Sequence, residues 1–148
     1  MFNILYNFFH FDAIHVLDLF AGTGNISYEF AARGALSVVS VDKHQACTQF
    51  IKSTATKLHF ENIHTINQEA LNYIRQTRQK YHIIFADPPY DWTEFNLLPT
   101  LIFENKLLLP DGFLIIEHPK TIEYKTYDKF YQHRKYGKVN FSIFAENL

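Results

Sequence analysis

Two short runs of this 148-residue chain place chemically active residue types at the ends of apolar stretches. Near the start stands Val16-Leu17-Asp18-Leu19-Phe20-Ala21-Gly22-Thr23-Gly24-Asn25, and past the middle Ile83-Ile84-Phe85-Ala86-Asp87-Pro88-Pro89-Tyr90. The first is an apolar strand that ends in an acid and a glycine turn opening a helix, which presents backbone N–H groups and a carboxylate to a nucleotide-like ligand. The second ends in a rigid turn with one carboxylate and one aromatic ring. In an open parallel sheet, neighbouring strand ends on the carboxyl edge line one crevice. The first run reads as a cofactor loop and the second as a target-group loop.

The glycine run is not a dinucleotide fingerprint, because the third glycine position of G-x-G-x-x-G, counted from Gly22, is Ser27. Asp18 at the strand end repels phosphate and suits a ligand with an ammonium or sulfonium centre. A tight turn is the plainer account of the glycines alone. Asp18 ahead of them, and Asp42 about twenty residues further on, favour a cofactor. Asp42 closes the second strand, where a carboxylate can accept two ribose hydroxyls, or cap a helix. Glu69 closes the third strand where an adenine would lie, with the same capping alternative.

Asp87-Pro88-Pro89-Tyr90 is the most specific signal. Its prolines fix two φ angles and remove two donors, so the carbonyls of Asp87 and Pro88 look elsewhere for partners. An exocyclic amine brings two N–H groups. With one proton taken by the Asp87 carboxylate and the other by the Pro88 carbonyl, the nitrogen lone pair turns toward an incoming methyl group, and Tyr90 stacks on the base. A simple strand-terminating turn is the competing account.

These residues need a scaffold of alternating strands and helices. Ile14 to Leu19 reads as a strand, followed by a helix from near Asn25 with Thr23 or Asn25 as N-cap and Gly34 as its stop. Leu36 to Val41 is a second strand ending at Asp42. A helix from about His44 to Leu58 then shows Ala46, Phe50, Ile51, Ala55 and Leu58 on one face. Ile63 to Ile66 is a third strand and Ala70 to Arg78 a short helix, before the strand that ends in Asp87. Asp91 to Leu98 reads as loop, Pro99 to about Leu107 as a helix with the proline at its first position, and Phe113 to Glu117 as a fifth strand. Tyr127 to Tyr136 and Val139 to Phe144 flank Gly137-Lys138 as an antiparallel hairpin. The expected fold is α/β: one doubly wound, Rossmann-like, seven-stranded and mostly parallel sheet over residues 1–148, ending in that hairpin.

Composition fits one globular domain, with 47% hydrophobic, 17% aromatic and 20% charged residues. A net charge of -1 does not announce nucleic acid or an anionic membrane. Cys47, the only cysteine, excludes an internal disulfide and fits a reducing cytosol. Phe2, Leu5, Phe8 and Phe9 suggest an amphipathic N-terminal helix that is neither signal peptide nor membrane span. The eight histidines form no ligand pattern, so no metal is expected. Lys120, Lys125, Lys129, Arg134, Lys135 and Lys138 lie among Glu123 and Asp128, as a solvated face or a phosphate-tracking patch.

The two strand-end motifs resemble those of the class I S-adenosylmethionine-dependent methyltransferases. Together with Arg134-Lys135-Tyr136-Gly137, they resemble the bacterial family that methylates guanine N2 in small-subunit ribosomal RNA. The resemblance implies that Asp18, Phe20, Ala21, Gly22, Gly24 and Asn25 hold the methionine part of S-adenosylmethionine, Asp42 the ribose, and Glu69 and Ala70 the adenine edge. It assigns the target guanine to Asp87, Pro88, Pro89 and Tyr90. It implies a cytoplasmic monomer acting on ribosomal RNA or the small subunit, with no membrane or metal. Members of that family begin with a basic, glycine-containing hairpin and an arginine-bearing loop ahead of the helix that here starts at Met1. This 148-residue form is therefore expected to bind cofactor but to capture RNA poorly. An adenine-N6 DNA methyltransferase and a catalytically silent cofactor-binding core are the rival readings.

Overall fold

The computed structural model describes residues 10–147, so the stripe from Phe2 to Phe9 lies outside the described residues. A 3-10 turn at Phe11–Ala13 leads into β1 (His15–Leu19), α1 (Asn25–Ala32), β2 (Ser37–Asp42), α2 (Gln45–Lys57), β3 (Ile63–Asn67) and α3 (Ala70–Gln76). There follow β4 (Tyr81–Ala86), α4 (Leu97–Glu104), β5 (Leu108–His118), β6 (Phe130–Tyr136) and β7 (Val139–Ala145). The strands form one sheet in the order β3-β2-β1-β4-β5-β7-β6. The first five strands in the chain are parallel to one another; β7 pairs antiparallel with β5, and β6 antiparallel with β7.

The chain winds outward from β1 to β3 and then returns to start its second half at β4, directly beside β1. Val16 pairs with Ile83, Leu17 with Ile84, Asp18 with Phe85 and Leu19 with Ala86. This reversal of winding direction puts the two chemical runs on adjacent strands, where open α/β sheets bind ligands.

Both sheet faces are covered, which explains why the central strands are continuous apolar runs rather than alternating ones. On one face Leu17, Leu19, Ile84 and Ile116 pack with Leu71 and Ile74 of α3 and Leu98 and Ile102 of α4. On the other, Val16, Val38, Ile83 and Ile115 pack with Phe30 and Ala31 of α1. Full burial of one such side chain contributes about 1.5–3 kcal/mol.

Several expected details differ. The N-cap of α1 is Gly24, at φ +92°, and neither Thr23 nor Asn25 supplies a side-chain cap. On α2 the buried side chains are Thr48, Ile51 and Ala55, whereas Phe50 and Leu58 are half-exposed and Ala46 is exposed. The helix rests on β2 and β3 with a narrow stripe, so the wide apolar face that its sequence suggests is only partly covered. Helix α3 stops at Gln76, and α4 starts two residues before Pro99 and ends at Glu104. Pro99 still lies in the first turn, where a missing N–H breaks no helical bond. Strand β5 begins at Leu108 and jumps in register from Leu108 opposite Tyr81 to Phe113 opposite Ile83. The intervening Pro110-Asp111-Gly112 makes a bulge, with Asp111 at φ +64°. Strand β6 begins at Phe130, because Tyr124 and the segment after it lie across the sheet face first.

Candidate active site

Each strand on the carboxyl edge ends in an acid or leads to one, and the glycine loop sits over the first. Phe20 leaves β1 at φ +58°, a strained left-handed conformation for a residue with a side chain. The loop is then tied back to the sheet: the Ala21 N–H donates to the Val41 carbonyl at 3.0 Å, and the Gly24 N–H to the Ala21 carbonyl at 2.9 Å. Tyr28 lies beneath it and donates its hydroxyl to the Thr23 carbonyl at 2.7 Å.

Asp42 holds both sides of this corner. Its Oδ2 accepts from the Gly22 N–H at 2.9 Å and its Oδ1 from the His44 N–H at 2.8 Å. A carboxylate has about four acceptor positions, so each oxygen keeps one for a ligand hydroxyl. Glu69 caps α3, accepting from the Leu71 and Asn72 N–H groups at 3.0 and 3.1 Å. The capping account of Glu69 is thus realised, while its carboxylate still lines the cavity.

Asp18 is only 2% exposed. Ser27 donates its hydroxyl to Asp18 Oδ2 at 2.6 Å and lies 2.6 Å from the Ser40 hydroxyl, a buried chain joining β1, α1 and β2. Ser27, which breaks the glycine fingerprint, is therefore the residue that fixes the acid. Burial pushes the Asp18 carboxyl up to about 7, against the Ser27 hydrogen bond and with help from the charge of Asp87.

Beyond β4, Asp87-Pro88-Pro89-Tyr90 forms the opposite wall. The Trp92 N–H donates to the Pro89 carbonyl at 3.0 Å and closes the turn. Tyr90 is 70% exposed, an open ring face at the cavity mouth. Trp92 meets Phe20 edge-on, with centroids 5.0 Å apart, and so ties the two loops together. Because Ala86 pairs with Ile116, Asp87 and Glu117 leave adjacent strands side by side. Burial, followed by the Asp87 charge and hydrogen bond, pushes Glu117 up to about 7. Asp87 is also raised by burial, but its hydrogen bond with Glu117 opposes the rise. The shared hydrogen bond thus favours the proton on Glu117, with Asp87 as its acceptor.

These walls enclose a cavity of about 740 Å³, within the range of small-molecule sites. Asp18, Phe20, Ala21, Gly22, Asn25, Asp42, Glu69, Ala70, Asp87, Pro88, Pro89 and Tyr90 all line it. Gly24 does not: it faces Tyr28 and Ile51, under the loop. Sequence reasoning missed Glu117, Trp92 and the Ser27–Ser40 pair. Glu117 had a signal, since it ends an apolar run as Asp18, Asp42 and Asp87 do. The other three had none, because their partners are distant in sequence. Among the described residues no helix is long and apolar enough to cross a membrane.

This doubly wound, Rossmann-like fold recurs in solved structures, methyltransferases among them. A solved S-adenosylmethionine-dependent methyltransferase from Agrobacterium tumefaciens matches it with a TM-score of 0.68 at 22% identity, over 89% of this chain and 56% of that one. A conserved hypothetical protein from Streptococcus pyogenes matches with a TM-score of 0.83 at 24% identity, over 97% and 91% of the two chains. The chain belongs to the family described as Conserved hypothetical protein 95, whose model matches residues 1–145. It is 30% identical over 108 residues to the Ribosomal RNA small subunit methyltransferase D of Buchnera aphidicola subsp. Baizongia pistaciae, a match covering 73% of this chain and 55% of that relative.

Proposed function

We propose that this chain transfers a methyl group from S-adenosylmethionine to an exocyclic amine of RNA, guanine N2 in small-subunit ribosomal RNA. The observation that carries the reading is the placement of Asp87 and Pro88 beside Asp18, across one cavity, by the pairing of β1 with β4. The name of the Buchnera relative supports small-subunit ribosomal RNA as the substrate class.

The donor set fits the cofactor. Asp18 offers a buried carboxylate with no cation paired to it among the described residues, suited to the ammonium or sulfonium centre. Asp42 keeps acceptor positions for the ribose hydroxyls, and Glu69 and Ala70 flank the place for adenine. Bound S-adenosylmethionine supplies a methyl on a sulfonium sulfur, which leaves with the S–C bond pair as a neutral thioether. Asp87 and the Pro88 carbonyl accept the two N–H groups of the target amine and aim its lone pair at that methyl. As the N–C bond forms, Asp87 takes the proton that the nitrogen must shed. Glu117, beside Asp87 at the end of the neighbouring strand, hydrogen-bonds it and so holds it in place for the amine. Tyr90 stacks on the base, which has to leave its own stack to reach a strand-end pocket.

The test is radiolabelled methyl transfer to small ribosomal subunits lacking the modification, with the product nucleoside identified by mass spectrometry. We expect N2-methylguanosine; N6-methyladenosine, or label only on DNA, would replace the substrate. Asp87→Ala should keep cofactor affinity within a few-fold while kcat falls by about 100-fold or more. Calorimetric binding of NAD without binding of S-adenosylmethionine would overturn the cofactor reading.

A further inference from the structure

The basic residues of the C-terminal third are interleaved with Glu123 and Asp128 along the chain; the terminal hairpin carries Asp128 away from Arg134, Lys135 and Lys138, while Glu123 stays near enough to His118 to act on its charge. Tyr136 faces Val139 beside the β6–β7 turn, while Phe130 faces Phe144 at the far end. β7 runs against β5, with Asn140 opposite His118 and Ala145 opposite Phe113. The Gly137-Lys138 turn therefore lies on the carboxyl edge of the sheet, the edge on which the cavity opens. Arg134, Lys135 and Lys138 are exposed at this tip, and the exposed Lys120 leaves the same end of β5. None of the four is in an ion pair among the described residues. Asp128 and Lys129 fall at the opposite end of β6, where Lys129 Nζ lies 3.7 Å from Glu146 Oε1.

An aromatic track runs from the tip to the cavity. Tyr136 is 47% exposed. Its ring rests on Phe141, with centroids 6.0 Å apart at 63°. Phe141 lies beside Glu117 in register and 6.5 Å from Phe85, which lines the cavity. Lysines on an outer strand also protect it from pairing with other chains. That role calls for charge along the whole edge, yet Phe130, Tyr131 and Gln132 carry none and three cations crowd the end on the cavity edge.

We propose that the β6–β7 tip is the docking surface for the single-stranded RNA that flanks the target base. Arg134, Lys135, Lys138 and Lys120 contact phosphates, and Tyr136 stacks on a neighbouring base. The inference rests on the reading of the cavity as an RNA-base site. Three strand spacings of about 4.8 Å put the tip about 14 Å from Asp87. A stacked strand at about 3.4 Å per nucleotide covers that in about four nucleotides.

The test uses the whole chain and a fluorescently labelled single-stranded RNA of mixed sequence, titrated by anisotropy over a range of salt. Replacing Arg134, Lys135 and Lys138 together by alanine should lower the log–log salt slope by about 2, at about 0.7 per lost contact. Near 0.1 M salt this is about a 100-fold loss of affinity. The charge-conserving set Arg134→Lys, Lys135→Arg and Lys138→Arg should keep the slope, as should Lys52→Ala with Lys57→Ala on α2. Tyr136→Ala should weaken binding by about 5- to 100-fold with little change in slope, and Tyr136→Phe should not. Each variant is checked for an unchanged Tm and S-adenosylmethionine affinity. An unchanged slope in the triple alanine variant, no RNA binding by the wild type at low salt, or an equal loss from the α2 pair would overturn the proposal. Loss of binding to small subunits but not to naked RNA would overturn it too, by assigning the tip to a ribosomal protein. If tip-dependent RNA binding persists without any binding of S-adenosylmethionine, the cofactor reading fails and the tip stands.

Discussion

A carboxyl group raised to about 7 by burial, as Asp18 is, sits half-ionised near neutrality. A cationic ligand binds its ionised form, so ligand binding and proton release are linked. S-adenosylmethionine affinity should tighten about tenfold from pH 6 to pH 8 and then level off. Calorimetry on Asp18→Asn supplies the control: the variant should bind more weakly at pH 8 and lack this part of the pH dependence. At the neighbouring acid pair, Glu117 acts by donating to Asp87. Glu117→Gln keeps a donor and should retain most of kcat, with a shallower pH profile around 7. Glu117→Ala loses a charge-assisted hydrogen bond worth about 1.5–3 kcal/mol, and kcat should fall by about 10- to 100-fold. Equal loss in both variants would mean that Glu117 matters for shape alone.

At the scale of the element, the glycine loop makes different demands at its two glycines. Gly24, at φ +92°, is packed so closely that a Cβ would come within 2.8 Å of the Tyr28 ring and 2.9 Å of Ile51. Gly24→Ala combines left-handed strain of about 1–2 kcal/mol with overpacking of about 1–3 kcal/mol. A fall in Tm of about 5–15 °C should follow. Gly22, at φ +57°, has open space where its Cβ would go. Gly22→Ala should therefore cost only the strain, with a drop of about 2–8 °C. It should nonetheless weaken S-adenosylmethionine binding, because Gly22 lines the cavity and its N–H is held by Asp42. Calorimetric melting and ligand titration on both variants would separate the two roles, and equal Tm losses would contradict them.

Over the whole molecule, the acids on the carboxyl edge are stacked against one another and against burial. Asp18 has a folded value raised from 3.8 to about 7. Its contribution to stability is thus fully present below about pH 4 and is lost as pH rises through about 7. Asp18→Asn should gain Tm over the wild type progressively between pH 4 and 7, for an effect of about 4 kcal/mol, and stay level above. A constant difference across that range would show that Asp18 is ionised throughout. The same edge marks where local information in the sequence stops. Apolar runs, glycine turns and acids at run ends were enough to read out the strands, the parallel class and the acids and glycine loop of the cavity wall, because those signals act over a few neighbouring positions; Lys43, His44, Phe85, Trp92, Thr93, Glu94 and Glu117, which also line it, were not read as site residues. The exposed half of α2, the bulge at Asp111 and the cap at Gly24 were not legible, since each depends on what packs against it. Nor could the chain order alone show that Glu117 would stand beside Asp87, that Ser27 would fix Asp18, or that the β6–β7 turn would bring Arg134, Lys135 and Lys138 to the cavity edge. Strand neighbours and register are chosen by burying both faces of the sheet at once, a condition that only the assembled tertiary structure satisfies.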